Sequence, residues 1–288
     1  MRKLFSLAMA AWMSVAVAAA AHADVRRAVN APRGEAEATA QWGEFARYLA
    51  AQIGQPVRLV PLALARMKEM IAKGEVDYTL CNPVEAVATH EERGAAYLAS
   101  MVGLKGTHFG GVIVANPKAG IATAADLKGK RVIGLQPHAA GGYLFQAYEL
   151  KQQGLDVPQA FAAYHVAKKQ DDAVLAVKAG LVDAGFIRTG VLEDMIAEGK
   201  IKAGDVVVVD RKPGFPEALS TGLYPEWYLL AVNKALAATD AKVKAAALAL
   251  AADSPAAKAA KIKGFSEPVD PGATIQMMKA MKVAPFDK

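Results

Sequence analysis

From residue 25 onward, short apolar runs alternate with segments in which apolar residues recur every three or four positions. The run over residues 25–31 predicts a strand, and the segment opened by Thr39 or Gln41 predicts an amphipathic helix that Gly54 ends. The apolar positions of this helix are Trp42, Phe45, Leu49 and Ile53. A strand followed by an amphipathic helix is the first unit of an alternating α/β chain.

The same alternation continues through the next part of the chain. Residues 57–60 and 76–80 predict two more strands, separated by a helix that ends at Gly74. Pro83 interrupts the third strand and is suited to the first turn of a new helix. The order βαβαβα predicts a mainly parallel sheet with helices on both faces, and ligands of such sheets collect at the carboxyl ends of the strands.

A second set of strands and helices repeats this order. Its strands are predicted over residues 131–135 and 182–187, and its helices begin at a glycine-rich turn near residue 138 and at Asp172. In both sets a glycine followed by x-Val-Asp joins a helix to a strand, at Gly74 and again at Gly180. The echo supports two similarly built lobes.

Two crossings between the sets predict a hinge. Residues 110–115 carry the chain out of the first lobe, and residues 227–232 bring it back. We therefore expect a two-lobed α/β fold in which each lobe has a mainly parallel sheet with helices on both faces. The first lobe is predicted to comprise residues 24–109 and 225–288, and the second residues 110–224.

The C-terminal part is rich in alanine and lysine. Residues 241–252 and 256–263 predict surface helices, because alanine favours helix locally. Ile275, Met278 and Met281 keep helical spacing, and this spacing favours packing residues over a metal-binding methionine cluster.

The N-terminal segment has the pattern of a secretory signal. An apolar run from Leu4 to Ala21 follows the basic pair Arg2 and Lys3, and Ala21-His22-Ala23 matches a signal-peptidase site. We interpret residues 1–23 as a cleaved signal peptide, with a retained membrane anchor as the alternative. No later segment reaches 18 uncharged apolar residues, so the mature chain is expected in the periplasm without membrane insertion.

Composition and charge narrow the class of partner. Hydrophobic residues make up 53% of the chain and the mean hydropathy is +0.17, much of it from alanine and the N-terminal segment. Removing Arg2 and Lys3 from 34 basic residues leaves 32 against 28 acidic ones, a net charge of +4. This mild, scattered charge argues against nucleic acid and is compatible with a small anionic ligand. One cysteine, Cys81, excludes an internal disulfide and a multi-cysteine metal site.

Enzyme motifs are missing from the sequence. It has no HExxH, GxSxG or Walker loop and no GxGxxG after a strand, so zinc hydrolase, serine hydrolase, NTPase and dinucleotide functions lack a site. We expect no cofactor, no metal and no enzymatic activity. A nucleophile pair of Cys81 and His138 facing each other across the cleft stays open as an alternative.

Several motifs carry a resemblance to a known family. Residues 117–121 and 125–132 resemble the linker and strand that open the second lobe of type II periplasmic solute-binding proteins. Together with Gly-Gly-Tyr at 141–143 and the stretch over 172–184, they resemble the phosphate, phosphite and phosphonate-binding (PhnD-like) branch. The resemblance covers residues 28–235. It implies a clamp that closes on a small solute and delivers it to an ABC importer, without chemistry on the ligand, and we expect a monomer.

The glycine-rich turn is a candidate anion site on its own chemistry. A helix N-terminus presents unpaired N–H groups, and Gly141 and Gly142 would let an anion approach them. The alternative is a plain strand-to-helix turn. Phosphonate binders carry Ser-Thr-Ser-Gly-Tyr here, and this chain departs from them. The matching residues are Ala139, Ala140, Gly141, Gly142 and Tyr143, preceded by His138.

Other positions depart from the branch as well. Gln170-Asp171 replaces a Ser-His pair, and Arg188-Thr189 occupies the region where aminophosphonate binders carry an acidic residue for the ligand amine. An arginine there would suit a carboxylate or a sulfur oxyanion bound through two hydrogen bonds. The resemblance therefore implies the fold and the role of the protein more directly than its ligand.

Loop residues complete the predicted site. Arg33 follows the first strand, and Cys81 and Asn82 follow the third, so both loops are expected to face the cleft. Asn82 could donate to an anion, and Cys81 could react or simply pack as a small apolar residue. Tyr224 begins a Tyr-Pro-Glu-Trp stretch that resembles periplasmic sensor domains for sulfur oxyanions, with a proline turn between packed aromatics as the alternative.

We interpret the chain as a periplasmic solute-binding protein that captures a small oxyanion between two lobes for an ABC importer. The oxyanion could be phosphonate-like or phosphate-like, a sulfur oxyanion or a carboxylate. The alternative is a ligand-binding accessory of a membrane sensor kinase, and a Cys-dependent enzyme is the third hypothesis.

Overall fold

The computed structural model describes residues 24–31 and 33–288. The predicted signal peptide, residues 1–23, lies outside them. Within the described part, no helix is long and apolar enough to cross a membrane.

The N-terminal part alternates strands and helices as predicted, and it ends on an additional strand. Its elements are β1 (Val25–Asn30), α1 (Glu35–Ile53), β2 (Val57–Leu62), α2 (Leu64–Ala72), β3 (Tyr78–Cys81), α3 (Pro83–Arg93) and β4 (Ala96–Gly103). The first helix begins at Glu35, earlier than the predicted Thr39 or Gln41. Glu35 and Glu37 lie in its first turn, where the helix dipole favours negative charge.

The middle part forms the second set of elements. They are β5 (His108–Phe109), β6 (Gly111–Ala115), β7 (Arg131–Gly134), α4 (Phe145–Gln152), β8 (Ala163–Val166), α5 (Gln170–Lys178), β9 (Ala184–Arg188), α6 (Val191–Ala197), β10 (Val207–Val209) and β11 (Tyr224–Pro225). Short 3-10 and π-helical turns cover Ala124–Leu127 and Ala140–Leu144.

The C-terminal part returns to the first set. Its elements are β12 (Tyr228–Ala231), a 3-10 turn (Lys234–Leu236), α7 (Ala237–Leu248), α8 (Pro255–Ala260), β13 (Ile262–Ser266) and α9 (Gly272–Ala280). A helix was predicted over residues 256–263, but the helix ends at Ala260. Lys261 takes a left-handed conformation, and the chain continues as strand β13.

Two sheets form the centres of the two lobes. The first sheet has the order β13-β4-β12-β3-β1-β2 and the second the order β10-β6-β9-β7-β8. A two-stranded ribbon of β5 and β11, which we call the hinge ribbon, lies where the chain passes between them. The prediction of two α/β lobes joined by two crossings is thus confirmed, whereas the exact division of the chain at residues 110 and 225 stays a prediction.

Both sheets are mixed, which corrects the expectation of mainly parallel sheets. In the first sheet β1 runs parallel to β2 and β3, whereas β12 runs antiparallel to β3 and β4. In the second sheet β7 runs parallel to β8 and β9, whereas β6 runs antiparallel to β9 and β10. The antiparallel halves arise because the crossing strands enter each sheet against the direction of the βαβ units.

The predicted core of the first lobe is confirmed. Trp42, Phe45, Leu49 and Ile53 of α1 are all buried. Arg27 of β1 is also buried among them; it donates to the Trp42 carbonyl oxygen at 3.1 Å, and its guanidinium lies 4.7 Å from the Phe45 ring centre. Burial lowers the pKa of Arg27 to about 9. Met278 is fully buried, as expected for a packing residue.

Candidate functional site

A cavity of ≈ 380 Å³ lies between the two sheets beside the hinge ribbon. The first lobe contributes Arg33, Trp42 and Lys261, and the second contributes Arg188. The segment after β11 adds Glu226 and Trp227. The Trp42 and Trp227 rings are stacked with their centres 6.4 Å apart, so one wall of the cavity is aromatic.

Arg188, the last residue of β9, is held in place from several sides. Its backbone N–H donates to the Gln170 side-chain oxygen at 2.7 Å, and its guanidinium lies 4.2 Å from the Phe109 ring centre. The Nη2 atom donates to Glu226 Oε1 at 2.8 Å, and Nε donates to the Thr189 carbonyl oxygen at 3.3 Å. The side chain keeps 20% exposure. Arg188 is therefore an oriented guanidinium in the cavity wall, and its contact with an oxyanion stays a prediction.

Glu226 is the buried partner of Arg188. Its backbone N–H donates to the Thr107 carbonyl oxygen at 2.8 Å, which anchors the residue beside the hinge ribbon. Its Oε2 atom is buried and has no hydrogen-bond partner among the described residues. Burial raises the pKa of Glu226, although Arg188 opposes this effect. A β-carbon at Gly103 would lie 3.3 Å from Glu226 Oε1, so glycine leaves room for the carboxyl group.

Arg33 lines the cavity but is already bound by carboxylates. It donates two hydrogen bonds to Asp171, at 2.8 and 2.9 Å, and two to Glu198, at 3.2 and 2.9 Å. Asp194 lies 3.6 Å from both Arg33 and Lys261. We call Arg33, Lys261, Asp171, Asp194 and Glu198 the interlobe clasp, because it joins the first lobe to α5 and α6. Sequence reasoning placed Arg33 in the cleft and did not find these partners.

The clasp has a strong electrostatic signature. Burial alone would raise the pKa of Asp171, but hydrogen bonds from Arg33 and Lys200 lower it to about 2. The same two cations lower the pKa of Glu198 to about 2. Both carboxyl groups are therefore ionised throughout the neutral range, and the clasp is a set of full charges.

The glycine-rich turn lies behind Arg188. The predicted ligand residues Ala139, Ala140, Gly141, Gly142 and Tyr143 are all buried, and none of them lines the cavity. A β-carbon at Gly141 would lie 2.7 Å from Arg188 Cβ and 2.9 Å from Phe109, so this glycine is needed for packing against Arg188. His138, just before the turn, is half-buried, and burial lowers its pKa. Direct contact of these residues with a ligand stays a prediction.

Asn82 and Cys81 lie away from the cavity lining. The Asn82 side-chain oxygen accepts from the backbone N–H groups of Val84 and Glu85 at 3.0 and 3.2 Å, and it caps α3 while Pro83 forms the first turn. Cys81 is fully buried, and burial raises the pKa of its thiol far above the ordinary value. The thiol therefore stays protonated, which fits the packing alternative rather than a nucleophile.

Tyr224 belongs to the hinge ribbon. Its ring stacks on Phe145 with centres 4.0 Å apart, and the residue is buried. From the Tyr-Pro-Glu-Trp stretch, the cavity is lined by Glu226 and Trp227, and Tyr224 packs behind them. Glu226, Trp227 and Trp42 are absent from the predicted site. The position of Glu226 and Trp227 immediately before the returning strand β12 is the sequence signal that could have identified these two residues.

Comparison with known proteins relates the sequence of this chain to periplasmic substrate-binding proteins. A family model described as "ABC transporter, phosphonate, periplasmic substrate-binding protein" matches residues 28–271. A curated relative, the tetrathionate sensor histidine kinase TtrS of Salmonella typhimurium, is 32% identical over 219 residues. That match covers 73% of this chain and 37% of the kinase, so the chain spans well under half the length of this relative.

Solved structures share the fold. One is PhnD1 from Prochlorococcus marinus in complex with methylphosphonate, with a TM-score of 0.75, 13% identity and coverage of 90% of this chain and 98% of that one. Another is a binding protein component of an ABC phosphonate transporter from Pseudomonas aeruginosa, with a TM-score of 0.74, 17% identity and coverage of 90% and 84%. The predicted type II periplasmic binding-protein fold is confirmed by these likenesses.

Proposed function

Because the chain belongs to the family of periplasmic substrate-binding proteins of phosphonate ABC transporters, we propose that it captures a small oxyanion in the cavity between its lobes and delivers it to an ABC importer. The observation that carries this proposal is Arg188, an oriented and partly exposed guanidinium in the cavity wall. A guanidinium offers paired N–H donors in one plane, which match the oxygens of a phosphonate, sulfonate or carboxylate. In this proposal residues 1–23 are a cleaved signal peptide and the mature protein acts in the periplasm.

The protein is proposed to bind its ligand without changing it. Cys81, the only cysteine of the chain, is fully buried, and burial raises the pKa of its thiol. A thiol kept protonated in this way is a poor nucleophile. These facts support a binding function over the alternative of a Cys-dependent enzyme.

The choice of oxyanion is open to a direct test. We expect at least one ligand from a panel of phosphate, methylphosphonate, methanesulfonate, thiosulfate, tetrathionate and acetate to raise the melting temperature. A ligand at a hundredfold excess over its Kd stabilises the folded state by about 2.7 kcal/mol. Arg188→Ala is expected to abolish the shift, whereas Arg58→Ala, an exposed arginine on β2, should preserve it. A panel without any hit, or an unchanged shift in Arg188→Ala, would contradict the proposal.

A second candidate function is supported by the relation to TtrS. The match of 219 residues is to a protein named as a tetrathionate sensor histidine kinase. In this second function the chain, with its ligand bound, would interact with a membrane sensor kinase. Neighbouring genes distinguish the two functions: a permease and an ATPase favour import, and a histidine kinase favours sensing. Purified ligand-bound protein that stimulates such a kinase would establish the second function.

A further inference from the structure

The cavity that is proposed to take an oxyanion contains a carboxyl group bound to its principal cation. Glu226 Oε1 accepts a hydrogen bond from Arg188 Nη2 at 2.8 Å, and the Glu226 side chain is only 7% exposed. Its second oxygen, Oε2, is buried and makes no hydrogen bond of ordinary geometry to the described residues, although the backbone N–H of Trp227 lies near enough to the carboxyl group to favour its charged form. A buried carboxylate with one unsatisfied oxygen is costly, and the structure keeps it beside the ligand cavity.

The rest of the cavity does not compensate for this negative charge. Among the described residues that line it, cationic and anionic side chains are equal in number. The cations are Arg33, Lys105, Arg188 and Lys261, and the anions are Glu37, Asp194, Glu217 and Glu226. An oxyanion that enters therefore meets no net positive charge, and at Arg188 it meets a second anion at close range. Two like charges at such a distance in a poorly solvated site repel strongly.

One added proton removes this conflict. We propose that an oxyanion binds at Arg188 together with one proton, which is shared between the ligand and the carboxyl group of Glu226. With the proton in place, Arg188 faces one negative charge instead of two. The unsatisfied carboxyl oxygen then either donates the shared hydrogen to the ligand or accepts a hydrogen bond from the protonated ligand. This inference rests on the proposed function, and it assigns Glu226 as the residue that sets the pH dependence and the ligand preference of the site.

The groups around Glu226 agree with this assignment. Burial raises the pKa of Glu226 and outweighs Arg188 on β9, the backbone N–H of Trp227 and His108 on β5, which all favour the charged form. Glu217 lies on the same cavity and its pKa is also raised, through burial and through Glu193. His108 and Glu217 are the ionisable side chains that line the cavity nearest to this pair, and the experiment has to separate them from Glu226.

The proton has two possible sources, and two ligands of similar shape distinguish them. A phosphonate monoanion carries an acidic hydrogen of its own and can bring the proton into the site. A sulfonate has no such hydrogen at neutral pH, so the proton must come from solvent. Methylphosphonate and methanesulfonate therefore provide a matched pair of probes.

Isothermal titration calorimetry in buffers of different ionisation enthalpy counts the protons directly. In the pH range in which Glu226 is ionised in the free protein, which a titration series from about pH 5 to about pH 10 brackets, wild-type protein is expected to take up close to one proton on binding methanesulfonate. Within that range its Kd is expected to weaken about tenfold per pH unit. Methylphosphonate is expected to bring its proton while it is a monoanion and to require uptake once it is a dianion. The measurement on wild-type protein needs no variant. It therefore shows whether a proton is bound together with the oxyanion even if a variant folds poorly.

Three variants locate the proton. Glu226→Gln keeps the shape of the side chain and is expected to bind methanesulfonate without proton uptake and with little pH dependence. Glu217→Gln and His108→Gln are expected to retain the uptake of the wild type. Uptake that persists in Glu226→Gln, or that disappears in either of the other two variants, overturns the inference.

Failure of this inference differs from failure of the proposed function. If an oxyanion binds wild-type protein, fails to bind Arg188→Ala and shows no proton uptake in any buffer, the proposed function stands and the role of Glu226 is refuted. If no oxyanion binds at all, both are refuted.

Discussion

Arg188 and Glu226 form the ion pair in the cavity wall, but only one of the two could be recognised from the sequence. The place of Arg188 in the cavity could be predicted, because it stands at the end of a predicted strand, and strand ends of such sheets face the ligand cleft. Glu226 could not, since its importance comes from a hydrogen bond to Arg188 and from the burial of Oε2, which makes no hydrogen bond of ordinary geometry within the part of the chain that the structure describes. Arg33 was placed correctly in the cavity, but its four hydrogen bonds to Asp171 and Glu198 depend on how the lobes meet.

A buried carboxyl group outside the cavity gives a test of stability at the residue scale. Glu85 on α3 is 3% exposed, and burial raises its pKa to about 7 although Lys68 lies 3.7 Å away. Because the pKa is higher in the folded than in the unfolded chain, its contribution is fully present below pH 4.5 and is lost as the pH rises through 7. Glu85→Gln should therefore stabilise the protein at pH 8 by roughly 2–3 kcal/mol and leave it nearly unchanged at pH 4.5.

Urea unfolding at both pH values measures this difference. Glu91→Gln, an exposed glutamate on the same helix, is the matched control and should change the free energy of unfolding little at either pH. An equal effect of Glu85→Gln at pH 4.5 and pH 8 would show that the carboxyl group does not titrate as stated.

At the scale of elements, periodicity predicted the helices that carry an apolar face and the strands that open a βαβ unit. It missed β4, β8 and β13. Strand β13 follows α8 after Lys261 alone, and the alanine-rich composition favours helix up to that point. Its pairing with β4 is a long-range contact, so local propensity gives no sign of it.

The glycine-rich turn before α4 gives a prediction at this scale. A β-carbon at Gly141 would lie 2.7 Å from Arg188 Cβ and 2.9 Å from Phe109, so Gly141→Ala should force Arg188 to move. We expect a loss of roughly 1–3 kcal/mol in the free energy of unfolding and weaker oxyanion binding. Gly43→Ala within α1 is the control, because among the described residues outside its own helix backbone its β-carbon would meet Arg47 Nη1 alone, at 4.0 Å, and alanine favours helix.

Urea unfolding and calorimetric titration of both glycine variants complete this test. A Gly141→Ala protein that matches Gly43→Ala in stability and the wild type in affinity would contradict the packing role assigned to the turn.

At the scale of the whole molecule, the two lobes are joined by the hinge ribbon on one side of the cavity and by the interlobe clasp on another. The clasp consists of charges that would separate if the lobes opened. Its ion pairs are partly shielded from solvent, since Arg33 is 13% exposed and Asp171 is 7% exposed. We therefore expect the clasp to favour the closed arrangement and to add to ligand affinity.

Arg33→Ala tests this expectation. The variant should bind its oxyanion about tenfold more weakly, because the closed arrangement loses about 1.4 kcal/mol of support. Lys200→Ala is the matched control: Lys200 lies 2.8 Å from both Asp171 and Glu198, but all three residues belong to the second lobe. Small-angle scattering should show a larger radius of gyration for ligand-bound Arg33→Ala than for Lys200→Ala. Equal affinities and equal radii of gyration for the two variants would show that the interlobe clasp does not stabilise the closed arrangement.

The central claim is that the cavity holds an oxyanion against Arg188. A crystal structure of the protein with the tightest ligand of the panel tests it most directly. We expect oxyanion oxygens within about 3 Å of the Arg188 guanidinium nitrogens, in the cavity between Trp42, Trp227 and Glu226. A ligand bound elsewhere, with Arg188 still paired to Glu226 alone, would contradict it.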